Sequence, residues 1–126
     1  MQIRELVGGE TLFVDPNTTM RKAAQDMDLA GVGSVAVESD GALEGILTER
    51  DVLHAVSRSA DLDTDHVRDW MTDYPDAISP EMNVEEAANW MLATGYRHLP
   101  IVDGGVVIGM VSIKDVLWAM TDSAKS

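Results

Sequence analysis

Two four-residue stretches hold the side chains best spaced for chemistry, Thr48-Glu49-Arg50-Asp51 and Ser112-Ile113-Lys114-Asp115. Each places a hydroxyl three residues before a carboxylate, an arrangement with two readings. In a capping box the hydroxyl accepts the backbone N–H of the aspartate, the carboxylate reaches back, and a helix begins. In a ligand site the same helix start offers its free N–H groups to an anion. The motif alone favours the cap, because caps are common and ligand sites few. Arg50, Lys114, Arg97 and His98 are the nearby basic groups able to meet an anion. The remaining reactive residues suggest no catalysis. His54, His66 and His98 have no HxxxH or HExxH spacing and no Gly-x-Ser-x-Gly partner, so neither a metal site nor an acyl-transfer centre is expected. Gly41 and Gly104-Gly105 fall in hairpin turns rather than in a GxxxxGK[ST] phosphate loop. With no cysteine, thiolate metal sites, disulfides and cysteine nucleophiles are excluded.

The elements that position these residues come in two copies. When the chain is slid along itself until Asp15-Pro16 meets Ser79-Pro80, Ala23-Ala24 falls on Ala87-Ala88, Met27 on Met91, Gly31 on Gly95 and Asp51-Val52-Leu53 on Asp115-Val116-Leu117. The register runs without a gap, so two copies of one supersecondary unit are predicted. In each copy a short apolar run (Phe13-Val14, Ala77-Ile78) precedes a helical face, Met20-Ala23-Ala24-Met27 or Val84-Ala87-Ala88-Met91, the second with Asn83 as N-cap. Strand patterns at 34–37 and 99–102 then lead through Ser39-Asp40-Gly41 and Asp103-Gly104-Gly105 into strands at 43–47 and 106–111. Helices carrying Val52-Leu53-Val56 and Val116-Leu117-Met120 follow Thr48 and Ser112. The unit is β-α-β-β-α, a mixed α/β (α+β) fold, with repeats at 1–56 and 67–120, an acidic linker at 57–66 and a tail at 121–126.

The copies resemble cystathionine-β-synthase (CBS) domains, and the tandem resembles a Bateman module. The resemblance rests on Gly31-Val-Gly-Ser-Val-Ala-Val through Gly45-Ile-Leu-Thr-Glu-Arg-Asp51, and on Gly95-Tyr-Arg-His-Leu-Pro-Ile-Val-Asp103 through Gly109-Met-Val-Ser-Ile-Lys-Asp115. It covers nearly the whole chain and implies two domains packed through their sheets with pseudo-two-fold symmetry. It also implies a regulatory sensor rather than an enzyme, with no catalytic cofactor, binding an adenosine-containing ligand in the inter-repeat clefts: AMP, ADP or ATP, with S-adenosylmethionine or NAD as alternatives. By position, one site takes Thr48, Asp51, Ile46, Met71, Tyr74, Asp76 and Tyr96, and the other Ser112, Asp115, Met110, Val7, Glu10, Leu12 and Val32, with Arg97 and His98 for phosphate. The first copy departs from the pattern, because Gly33, Ser34 and Ala36 stand where Arg97, His98 and Pro100 do. A ligand-free scaffold that presents its surface to a protein partner is the competing expectation.

The 126 residues suit one ordinary domain-sized body, and 45% hydrophobic with 25% charged residues is a globular balance. No apolar run approaches the ~20 residues of a membrane span, so a cytoplasmic protein is expected. A net charge of −13, spread along the chain, opposes nucleic-acid binding. With three lysines beside six arginines, it suits a salt-rich cytoplasm that screens self-repulsion. Trp90 and Trp118 replace Asp26 and His54 of the first copy and fall off the main apolar stripes of their helices. They predict a homodimer through the helices, richer in apolar contact from the second copy.

Overall fold

The computed structural model describes residues 1–7, 12–73 and 75–125. Its strands and helices are β1 (Phe13–Val14), α1 (Met20–Ala30), β2 (Ser34–Ser39), β3 (Ala42–Thr48), α2 (Glu49–Ser57), β4 (Thr72–Asp73), α3 (Val84–Thr94), β5 (His98–Asp103), β6 (Val106–Ser112) and α4 (Ile113–Lys125), with 3-10 turns at Ile3–Leu6 and Val67–Asp69. The first copy shows every element of the predicted β-α-β-β-α unit, and the second shows all but its first strand. In the second copy the first strand is reduced to one parallel bridge, Ile78 to Ile101.

Each hairpin turns where the sequence demands positive φ. Asp40 and Gly41 have φ of 53° and 83°, and Gly104 and Gly105 have 58° and 86°, the two left-handed residues of a turn whose twist matches that of the strands. Both hairpins carry a register shift at the same repeat position, Val37/Glu38 and Ile101/Val102. The first helix of each copy begins on a side-chain cap: the Thr19 hydroxyl accepts from Lys22 N–H, and Asn83 Oδ1 from Glu85 N–H. These helices end at Gly31 and Gly95, both left-handed.

The chain forms two compact units that do not coincide with the sequence repeats: Leu12–Pro75, and Met1–Thr11 with Asp76–Ser126. In the unit Leu12–Pro75, β1 to β4 form one sheet, with β1 parallel to β2 and the remaining pairs antiparallel. Its core gathers Val14, Met20, Ala23, Met27, Val35, Val37, Leu47, Ala55 and Val67. The polar stretch predicted as a linker packs here: Ala60 and Leu62 lie against this core, Arg21 N–H donates to Leu62 C=O at 2.9 Å, and the Arg21 guanidinium pairs with Asp63. The Asp63 carboxyl is held below its ordinary range by that guanidinium. β4 has no signal in the sequence, because two exposed residues carry no alternation to read.

In the other unit, β5 pairs with β6, and Ile3, Ile78, Val84, Ala87, Met91, Leu99, Ile101, Val111, Val116 and Ala119 form the core. The 3-10 turn at its start is tied in by Ile3 N–H to Met82 C=O and Arg4 N–H to Pro80 C=O, both 2.8 Å, and Met1 C=O accepts the first amide of α3, Val84 N–H, at 2.9 Å. The unit Leu12–Pro75 has the same bonds at the equivalent repeat positions: Val67 N–H to Thr18 C=O, Arg68 N–H to Pro16 C=O, and Met20 N–H to Asp65 C=O. Each repeat therefore lends its opening segment to the unit built on the other, satisfying amides that a helix start leaves orphaned.

Two expectations about helix faces change. Among the described residues, the second helices bury Ala55 in α2 and Val116 with Ala119 in α4, whereas Leu53, Val56, Leu117 and Met120 are exposed. A small alanine at the contact lets the helix approach the sheet, and the larger neighbours turn to solvent. Trp90 is half-buried against the core, so it does belong to its helix's packing. Trp118 is exposed, as the helical spacing predicts.

Candidate functional site

Both [ST]-x-x-D motifs sit where a sheet strand runs into a helix. At the end of β3, Thr48 N–H donates to Asp51 Oδ2 at 2.8 Å, Asp51 N–H donates to Thr48 Oγ1 at 3.3 Å, and the Thr48 hydroxyl also reaches Asp51 Oδ2 at 3.1 Å. At the end of β6, Ser112 N–H donates to Asp115 Oδ2 at 2.9 Å and Asp115 N–H to Ser112 Oγ at 3.1 Å. The capping-box reading is thus met in full at both places. The cap engages only Oδ2 of each aspartate, however, so each carboxylate keeps acceptor capacity on Oδ1. Capping and ligand binding are compatible uses of one side chain.

The residue just before the first strand of each hairpin completes the helix start. Gly33 C=O accepts Glu49 N–H at 2.9 Å, and Arg97 C=O accepts Ile113 N–H at 2.8 Å. Antiparallel pairing sets Ser34 opposite Thr48 and His98 opposite Ser112. Arg97 and His98 are therefore placed beside Ser112 and Asp115, an assignment that needs the hairpin register and so cannot be read from composition. Arg97 is exposed and His98 half-buried.

Within the unit Leu12–Pro75, Ile46 is buried on β3, paired with Ala36 and Thr72. Met71 packs behind Gly45, whose missing Cβ would stand 2.7 Å from Met71 Sδ. Leu12 is half-buried against the core, and Val32 is exposed after α1. In the other unit, Val7 lies against Gly109, with Cγ1 3.2 Å from the place a Cβ would take, and Met110 is half-buried opposite Pro100. The Asp76 carboxylate beside the Tyr96 hydroxyl holds that phenol above its ordinary value. The structure thus brings Thr48, Asp51, Ile46 and Met71 into one unit, whereas Asp76 and Tyr96 belong to the other. Ser112, Asp115, Met110 and Val7 share a unit, whereas Leu12 and Val32 belong to the unit Leu12–Pro75. Tyr74 and Glu10 lie outside the described residues. Among the described residues, no group of three or more His, Asp or Glu side chains is placed to hold a metal ion, and no helix is long and apolar enough to cross a membrane.

The family model of the CBS domain matches residues 3–58 and 67–122. The CBS domain-containing protein YhcV of Bacillus subtilis (strain 168) is 31% identical over 115 residues, 90% of this chain and 81% of that protein. Among solved structures, the CBS domain protein PAE2072 from Pyrobaculum aerophilum, complexed with AMP, superposes with a TM-score of 0.86 at 22% identity, covering 97% of this chain and 99% of that one. The CBS domain pair of protein MJ0100, in complex with 5′-methylthioadenosine and S-adenosyl-L-methionine, superposes with a TM-score of 0.87 at 18% identity, covering 98% of each chain. At these identities the likeness to the two solved structures is one of fold.

Proposed function

Because this chain belongs to the CBS-domain family and carries two of these domains in tandem, we propose that it is a regulatory module that binds an adenosine-containing ligand and relays occupancy to a partner protein. The observation that carries this reading is the pair of strand-end aspartates, each with one carboxylate oxygen engaged in the helix cap and the other available to a ribose hydroxyl. Fold neighbours that hold AMP, or methylthioadenosine and S-adenosylmethionine, support the ligand class. AMP, ADP and ATP are the leading ligands, with S-adenosylmethionine and NAD as alternatives, and Thr48, Asp51, Ser112, Asp115 and Arg97 are the residues assigned to them. The module performs no reaction in this reading, and it works in the cytoplasm. A response requires that the ligand favour one of two shapes of the module.

Self-association is part of the proposal. Leu92 and Trp118 are 77% and 65% exposed, and Leu117 lies beside Trp118 on α4. A two-fold homodimer through these helices would cover them.

A second reading has one observation in its favour: both capping boxes close entirely within the chain, so a ligand-free interaction scaffold accounts for the motifs as structure. Calorimetric titration with AMP, ADP, ATP, NAD and S-adenosylmethionine separates the two. The regulatory reading expects saturable binding that Asp51→Asn and Asp115→Asn weaken; absence of binding by every one of these ligands leaves the scaffold.

A further inference from the structure

The two helix starts have the same backbone and different charge. In both, the residue before the hairpin's first strand offers its carbonyl to the first helical amide, Gly33 to Glu49 and Arg97 to Ile113, and the two pairs are equivalent in the repeat. At the Thr48 end, the space above Gly33 is taken by the Glu49 carboxylate, with Oε1 3.2 Å from where a Cβ would stand. At the Ser112 end an arginine replaces the glycine and an isoleucine replaces the glutamate. Arg50 and Lys114 are equivalent and cancel in the comparison. At these equivalent described positions the Thr48 end carries Glu49, Asp51 and Arg50, and the Ser112 end Arg97, Lys114 and Asp115. Among the described residues neither Glu49 nor Arg97 is in an ion pair, so each presents its full charge to whatever approaches. The ribose-binding group is retained at both ends, because both aspartates keep Oδ1 outside the cap.

We infer that the two ends are sorted by ligand charge: the Ser112 end takes a phosphorylated adenosine, and the Thr48 end takes an adenosyl ligand without phosphate, neutral or cationic. The inference rests on the adenosyl-binding reading above and adds the ligand class at each end. A phosphate dianion brought near Glu49 meets a like charge that no local cation offsets beyond Arg50. The same dianion at the Ser112 end meets Arg97, whose planar fork suits phosphate. A carboxylate near a phosphate at a solvent-exposed mouth costs on the order of tenfold in affinity, and salt screens it. A sulfonium or neutral thioether suffers no such penalty at Glu49.

The test titrates AMP and 5′-methylthioadenosine into the whole chain and into two variants that each leave one end intact. In Asp115→Asn, which preserves the Thr48 end, AMP is expected to bind about tenfold more weakly than 5′-methylthioadenosine. In Asp51→Asn, which preserves the Ser112 end, the order reverses, and Arg97→Ala removes the AMP preference. Adding Glu49→Gln to Asp115→Asn raises AMP affinity about tenfold and leaves 5′-methylthioadenosine unchanged; raising salt has the same direction of effect. In the unsubstituted chain, AMP-saturated protein still takes up one equivalent of 5′-methylthioadenosine. Equal AMP affinity at the two ends, or a Glu49→Gln effect common to both ligands, overturns the sorting while leaving adenosyl binding in place. If the unsubstituted chain binds neither ligand, the adenosyl-binding reading itself falls, and the sorting with it.

Discussion

Ile3 and Val67 occupy the same position in the two repeats, and each is completely buried in the core built on the other repeat. Their amides donate to the carbonyls of Met82 and Thr18, which are themselves equivalent in the repeat. The exchange is reciprocal down to individual hydrogen bonds. It stabilises the start of α3 and of α1 by giving the Val84 and Met20 amides an acceptor supplied from a distant part of the chain.

Replacing Ile3 by alanine should therefore weaken a unit that its own repeat does not form. Removing a fully buried isoleucine side chain costs about 2–5 kcal/mol. Hydrogen exchange should show faster amides in α3, β5 and α4 and little change across residues 12–73. Acceleration confined to residues 12–58 would contradict the exchanged arrangement.

The caps and the proposed ligand role are separable by choice of substitution. Thr48→Ala or Ser112→Ala removes a capping hydroxyl and should lower stability by about 0.5–2 kcal/mol. Asp51→Asn and Asp115→Asn retain an oxygen that accepts the N-cap amide, so thermal unfolding should shift less than in the alanine variants, while nucleotide affinity falls. Loss of binding only in proportion to loss of stability would reduce the motifs to caps.

Gly45 and Gly109 are equivalent in the repeat but not in what they face. A Cβ at Gly45 would stand 2.7 Å from both Met71 Sδ and the Thr72 carbonyl oxygen, the second being backbone of β4. At Gly109 the nearest atom is Val7 Cγ1 at 3.2 Å, on a side chain that can shift by a small rotation. Gly45→Ala should displace β4 and destabilise by about 1–3 kcal/mol, and Gly109→Ala by clearly less. Denaturant unfolding of the two variants measures the difference.

The repeat, the hairpins, the first-helix faces and both helix starts were legible from the sequence, because periodicity and turn residues act locally. Met20, Ala23 and Met27, and Val84, Ala87 and Met91, are buried as their spacing predicts. The partner of each opening segment was not legible: Ile3 and Val67 look like ordinary apolar residues, and nothing local says which core receives them. The 57–66 stretch reads as a linker because it is polar, yet Leu62 and Ala60 tether it to the first core and Asp63 meets Arg21. The second helices mislead for the opposite reason, since Leu53, Leu117 and Met120 are strongly apolar while Ala55, Val116 and Ala119 do the packing. For the candidate site, the aspartates are found by motif, but the pairing of Arg97 with the Ser112 end follows only from the hairpin register.

Tyr96 provides a pH-dependent readout of its neighbourhood. The Asp76 carboxylate beside its hydroxyl holds the phenol above its ordinary value. A raised folded-state pKa means that the contact's contribution is fully present below the ordinary phenol value and is lost as pH rises through the elevated one. Ultraviolet titration should show one tyrosine ionising later than a free phenol, and Asp76→Asn should bring it down. A tyrosine titration unchanged by Asp76→Asn would refute the contact.

The tryptophans of the second repeat predict opposite outcomes. Trp118→Glu places a charge on an exposed position; if the proposed homodimer forms through α4, the unsubstituted protein should scatter light as two copies and the variant as one folded copy. Trp90→Glu puts a carboxylate against the core and should lower stability whatever the oligomeric state. A Trp118→Glu protein that keeps twice the chain mass would remove α4 from the interface.

The exchanged opening segments put the piece that folds out of phase with the piece that was duplicated. The unit Leu12–Pro75 is one continuous stretch, as long as the repeat period, but it begins near the first strand and closes with the opening turn of the next copy. It is a permuted repeat. A fragment cut at 12 and 75 keeps its own cap on α1, whereas one cut at the family boundaries, 3 and 58, loses Val67 and the Asp65 carbonyl that hold it.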